Sequence, residues 1–129
     1  LDRRSANFRA LKAALSSWRH VRVLDATDPL AQSSYYCLSI VLEGALACRR
    51  NEIVARLKRK GIGTSIYYPH PVPRMRYYRE AYGYEATRYP HAAEVSDCSI
   101  ALPVGPHVTP EDVTYLAESI RTTVREIDS

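Results

Sequence analysis

The chain has 129 residues, room for one domain with one core and little for a second. Apolar residues make up 46% and charged residues 25%, which excludes intrinsic disorder, and no apolar run approaches the length of a membrane span. The net charge of +4, carried by fifteen arginines against three lysines, permits an anionic partner such as nucleic acid, a phosphate-bearing metabolite or an acidic protein, and equally suits a solvated surface. No signal-peptide pattern opens the chain, and Cys37, Cys48 and Cys98 lie apart with no CxxC or Cys/His metal spacing. They are expected to be reduced thiols of a cytosolic protein.

Leu1, Phe8, Leu11, Leu15 and Trp18 share one face at helical spacing, and no capping residue precedes Leu1. The pattern predicts a helix entered part-way, and a chain that is a fragment or a C-terminal domain. HVRVLDATDPLAQSS predicts a short strand and then a turn-rich link around Asp28-Pro29. YYCLSIVL, residues 35–42, is β-prone and apolar on both faces, which suits a central, buried strand. Residues 49–60 follow as a helix with Ile53, Val54 and Leu57 inward, and Gly61 stands where a left-handed C-terminal cap is needed.

Residues 64–68 are β-prone until Pro69, Pro71 and Pro73 stop any ladder. A broken helical stretch follows, ended by Gly83 and resumed after Pro90, and CSIALPV at 98–104 reads as a further strand. In the last element Thr109 caps, Pro110 takes the first helical position and Glu111 and Asp112 face the positive end of the helix dipole. Val113, Leu116, Ala117, Ile120, Val124 and Ile127 form its apolar stripe. These elements predict an α+β fold: a small, mostly antiparallel sheet of three or four strands with long first and last helices packed on one face.

Candidates for chemistry are few. His20, His70, His91 and His107 lie in no nucleophile motif, GIG at 61–63 is too short for a dinucleotide fingerprint, and no phosphate-cradling GxxxxGK[ST] occurs. RLKRKG at 56–61 and RMRYYRE at 74–80 interleave basic and aromatic residues, and seven of the ten tyrosines fall between 67 and 89. Stacked tyrosines beside arginines hold single-stranded nucleic acid in some proteins; the same residues also describe a solvated helix face and a partly buried core. GIGTSIYYPHPVP, 61–73, is the most specific stretch. Its prolines restrict the loop, so Tyr67, Tyr68 and His70 are presented in a preorganised way to a polar ligand or a partner edge.

Four pieces in order carry a resemblance: GIGTSIYYPHP at 61–71, YYREAYGY at 77–84, PHAAEVSD at 90–97 and SIALPVGPHVTPEDV at 99–113. From about Arg4 to Ile127 the chain resembles the C-terminal small domain of the DegT/StrS family, pyridoxal-phosphate-dependent aminotransferases of the aspartate aminotransferase fold type. The resemblance implies a parent enzyme in which an amino donor loads the cofactor with an amino group and a nucleotide-linked keto-sugar collects it, in cell-surface polysaccharide biosynthesis. It implies that the Schiff-base lysine and the cofactor-binding residues belong to a large N-terminal domain absent from this chain. No catalytic or cofactor-binding residue is therefore expected here, since Lys12, Lys58 and Lys60 match no family motif. The partners implied are that large domain, a second copy in a homodimer, and the nucleotide-sugar. What carries over is the loop: Tyr68-Pro69 match the family's His-Tyr-Pro, Tyr67 stands where the histidine is common, and His70 follows. Tyr67, Tyr68 and His70 are expected to line the substrate entrance, with Arg74 near a phosphate. The alternative from the residues themselves is a stand-alone module binding an anion or nucleic acid.

Overall fold

Three short β-prone segments pair into an antiparallel sheet in the computed structural model, which describes residues 1–26 and 28–128. Thr27, inside the predicted link, and Ser129 lie outside the described residues. Strands β1 (Val21–Leu24), β2 (Leu38–Leu42) and β3 (Ser99–Leu102) are ordered β1-β2-β3, so the doubly apolar segment is central, as its pattern requires. The register sets Val23 opposite Ile40 and Ile40 opposite Ile100, one row across one face. Helices α1 (Asp2–Leu15) and α5 (Pro110–Asp128) pack together on that face, with α2 (Arg50–Arg59) against α5 and β3. Arg22 and Val41, paired across β1 and β2, point the other way. There α4 (Pro90–Cys98) lies against β2 and β3, and Glu94 reaches Arg22 Nη2 at 3.2 Å. The remaining helix, α3 (Arg76–Tyr82), buries no residue.

The α+β class is as the sequence predicts, with three strands among the described residues. The β-prone 64–68 segment contributes a single bridge, Ser65 to Ala101, bonded at 3.0 and 2.8 Å before the prolines intervene. Two boundaries move inward. Leu1 is exposed and Trp18 lies beyond the helix end, so the buried seam of α1 is Asn7, Phe8, Leu11 and Leu15. The predicted 35–42 strand starts at Leu38, because Tyr35 takes a left-handed φ of 50° that breaks the pleat and sets its ring edge-on to Phe8 at 5.2 Å.

Both helix-end signals are realised. Gly61 adopts φ +76°, its N–H bonds the Lys58 carbonyl, and the Ile62 N–H reaches back to the Leu57 carbonyl, a Schellman arrangement with Ile62 and Leu57 joined in the core. At α5, the Asp112 N–H donates to Thr109 Oγ1 at 3.1 Å while the Thr109 N–H donates to Asp112 Oδ2 at 2.8 Å. Those donors, the Thr109 backbone first, hold the Asp112 carboxyl below its ordinary 3.8. A lowered folded value means that the contribution is complete above 3.8 and lost as pH falls through the folded value. Asp112→Asn is therefore expected to flatten the acid limb of the Tm–pH curve, and an unchanged limb would refute the assignment.

Candidate functional site

The 61–73 loop is fixed at both ends before any side chain is considered. The Schellman turn delivers it to the Ser65–Ala101 bridge, beside the end of β3. Downstream, the buried Ser96 of α4 donates its hydroxyl to the Tyr68 carbonyl, and Arg50 Nη1 donates to the Ser96 carbonyl. Arg74 closes the clamp, its Nη1 lying 2.8 Å from both oxygens of Asp97. A proline-stiffened segment pinned at Tyr68 and Arg74 holds its shape without help from a ligand.

The four predicted residues occupy different surroundings. Tyr67 lines a cavity of about 260 Å³ and packs its ring on Tyr36 with centroids 5.8 Å apart. The Tyr36 phenol, and then desolvation, raise the Tyr67 hydroxyl above its ordinary 10.0, so it stays protonated throughout the physiological range. Tyr68 presents an exposed ring on the same pinned backbone, and His70 is exposed two residues on. Arg74 is half-buried on Asp97, so a phosphate approaching it meets a guanidinium that already holds an anion. The structure thus joins Tyr67 to a cavity, Arg74 to a clamp, and leaves Tyr68 and His70 facing outward.

The cavity also gathers residues that sequence reasoning did not single out: Arg4 from the first turn of α1, Tyr36 from the approach to β2, and His107 from the turn after β3. That turn is set by Asn7, which is buried and whose Nδ2 donates to the carbonyls of Gly105 at 3.1 Å and Val108 at 2.9 Å. The His107 ring lies against Gly105, where an added Cβ would come within 2.6 Å of Cε1. Arg4 and Asn7 stand three apart and share a helix face, the one signal in the sequence that ties α1 to this corner.

Part of the basic and aromatic runs is otherwise engaged. Arg56 bonds Glu52 and Glu126, and Arg76 bonds Glu80. Tyr77, Tyr78, Tyr82, Tyr84 and Tyr89 touch in succession at centroid distances of 5.2 to 6.1 Å, with Arg88 over the last two rings, so these rings pack on one another outside the main core. Among the described residues no three His, Cys, Asp or Glu side chains gather closely enough to hold a metal ion, and no helix is long and apolar enough to cross a membrane.

The comparisons with known proteins agree on one relationship. The model of the DegT/DnrJ/EryC1/StrS aminotransferase family matches residues 1–121. Spore coat polysaccharide biosynthesis protein SpsC of Bacillus subtilis is 31% identical over 80 residues, which cover 61% of this chain and 20% of that protein. An uncharacterized protein of Methanocaldococcus jannaschii, MJ1066, is 31% identical over 81 residues, 63% of this chain and 21% of its own length. Among solved structures, the putative sugar aminotransferase Spr1654 of Streptococcus pneumoniae in its PMP form superposes with a TM-score of 0.85 at 25% identity, covering 98% of this chain and 31% of that one. The matched chain thus spans about a fifth of these curated relatives and about a third of that structure.

Proposed function

The chain belongs to the DegT/DnrJ/EryC1/StrS aminotransferase family, and from that premise we propose that it is the C-terminal small domain of a pyridoxal-phosphate-dependent sugar aminotransferase whose acceptor is a nucleotide-linked keto-sugar. The observation that carries this reading is the superposition of nearly the whole chain on under a third of a sugar aminotransferase. In the parent this domain shapes the substrate cleft of a cytoplasmic homodimer, packed on its own large domain, and is inactive alone. The surroundings of its lysines support that division of labour. A covalent cofactor link needs a desolvated amine beside its carbonyl. Lys12 is ion-paired with Asp25, Lys58 is exposed, and Lys60 is half-buried at the end of α2. These residues do not fit the cofactor, and no step through it is derived from them.

Within that reading the pinned loop is the domain's contribution to substrate. Tyr67, Tyr68 and His70 line the entrance, and Arg74, oriented by Asp97, turns its remaining N–H donors towards a phosphate. Replacing Tyr68 or His70 in the complete enzyme is expected to raise KM for the keto-sugar several-fold with little change in kcat, the signature of lost binding common to ground and transition states. Unchanged KM in both variants would remove the loop from the site. The reading as a whole is tested by an absorbance spectrum with added pyridoxal phosphate. A protein containing the upstream two-thirds is expected to show a visible cofactor band that an amino donor bleaches, and this chain by itself none. A complete protein without such a band would break the proposal.

A further inference from the structure

We propose that the cavity between α1, Tyr67 and the β3–α5 turn is an oxyanion subsite centred on Arg4, built to take a carboxylate or phosphate group of a substrate. The inference rests on the aminotransferase reading only for the source of the anion, since the site itself stands on its residues. Five arginines of the described chain are half-buried: Arg4, Arg50, Arg56, Arg74 and Arg121. Arg56 and Arg74 hold carboxylates, Arg50 holds the Ser96 carbonyl, and Arg121 lies over the Trp18 ring at 5.0 Å. Arg4 alone of the five has neither a hydrogen bond, an ion pair nor a ring contact among the described residues, yet it lines a formed cavity. A guanidinium is always charged and offers five donors, so partial burial without a counterion leaves a demand that an incoming anion satisfies.

The rest of the lining fits that demand. It includes no aspartate or glutamate, and its polar side chains are Tyr36, Tyr67, Ser65 and His107, with Cys37. The Tyr36 and Tyr67 rings pack at 5.8 Å between centroids, which brings two phenol hydroxyls, each able to donate, to one side of the cavity. Asn7 sets the turn that presents His107, and Asp112, on the first turn of α5, is outside the lining and already bonded by Thr109. The result is one fixed positive charge beside hydroxyl and imidazole groups, with no carboxylate, in about 260 Å³, enough for an oxyanion and its immediate substituent.

The test uses the complete protein loaded with pyridoxal phosphate, comparing wild type, Arg4→Gln, Arg4→Lys and, as a control, Arg3→Gln, whose exposed neighbour position lies outside the cavity lining. Two probes distinguish the anion's source: L-glutamate for a carboxylate and inorganic pyrophosphate for a phosphate, each titrated by calorimetry. Arg4→Gln is expected to weaken one of the two about tenfold, the loss of one charge-assisted contact, with partial recovery in Arg4→Lys and no effect of Arg3→Gln. Weakening for glutamate assigns the carboxylate, and weakening for pyrophosphate assigns the phosphate. Equal affinities in wild type and Arg4→Gln for both probes, or no binding of either by wild type, would overturn the subsite. A missing visible cofactor band would instead defeat the aminotransferase reading, and the two titrations would still decide the subsite.

Discussion

Asn7→Asp, which exchanges one side-chain amide for an oxygen, is expected to cost the domain about 3 kcal/mol or more at neutral pH. The native Nδ2 feeds two carbonyls, Gly105 and Val108, from a position that is 5% exposed. A carboxylate there withdraws both donors and sets a buried charge against two acceptors. Asn7→Ala withdraws the donors without adding charge, and about 1–3 kcal/mol is the expected loss. The two variants part further with pH. The buried aspartate titrates above its unfolded value of about 3.9, so its penalty is complete above the raised folded value. Protonation then restores one donor, and the penalty shrinks as pH falls towards the unfolded value. Urea denaturation at pH 7 and at pH 4.5 reads this directly. Equal losses for the two variants at both pH values would show that the β3–α5 turn is not held by the Asn7 amide. The result bears on function as well, because the same turn carries His107 into the Arg4 cavity.

Ile40→Ala is expected to be the most damaging apolar truncation, at about 2–5 kcal/mol. Ile40 is fully buried in the central strand and is paired on both sides, with Val23 and with Ile100, so neither neighbour can collapse into the space without breaking a ladder. Against a total stability of about 5–15 kcal/mol for a domain of this kind, that is a large fraction. Leu30→Ala, at a position 93% exposed, is expected to stay within about 0.5 kcal/mol and serves as the matched control. The urea midpoint should fall for Ile40→Ala with the slope unchanged. Similar midpoints for the two variants would mean that the β1-β2-β3 row is not the centre of the core.

Local order was legible in the chain where neighbouring residues settle the matter. The stripe of α5, the Thr109-Pro110-Asp112 start, the Gly61 stop and the central apolar strand each depend on residues within a few positions, and each is found in place. Motif order over residues 61–113 was also enough to point to the family that the comparisons establish. Capping and periodicity are local chemistry, so no tertiary information was needed.

Tertiary structure decided the rest. Tyr35 bends out of the expected strand because Phe8, 27 positions earlier, offers its ring an edge, and the tyrosines between 77 and 89 pack on each other rather than on the core. The residue type of Arg74 suggests a phosphate, but that Asp97 orients it, from 23 positions away, is set by the fold alone. Above all, Arg4, Tyr36, Tyr67 and His107 are spread over most of the chain and share no motif. Their meeting depends on the Ser65–Ala101 bridge and on Asn7 reaching across 98 positions to Gly105. Sequence determined which segments would be helix, strand and stop, because those choices are made by adjacent residues. Which side chains share a cavity was decided only by folding, because such contacts form between surfaces that the chain brings together from far apart.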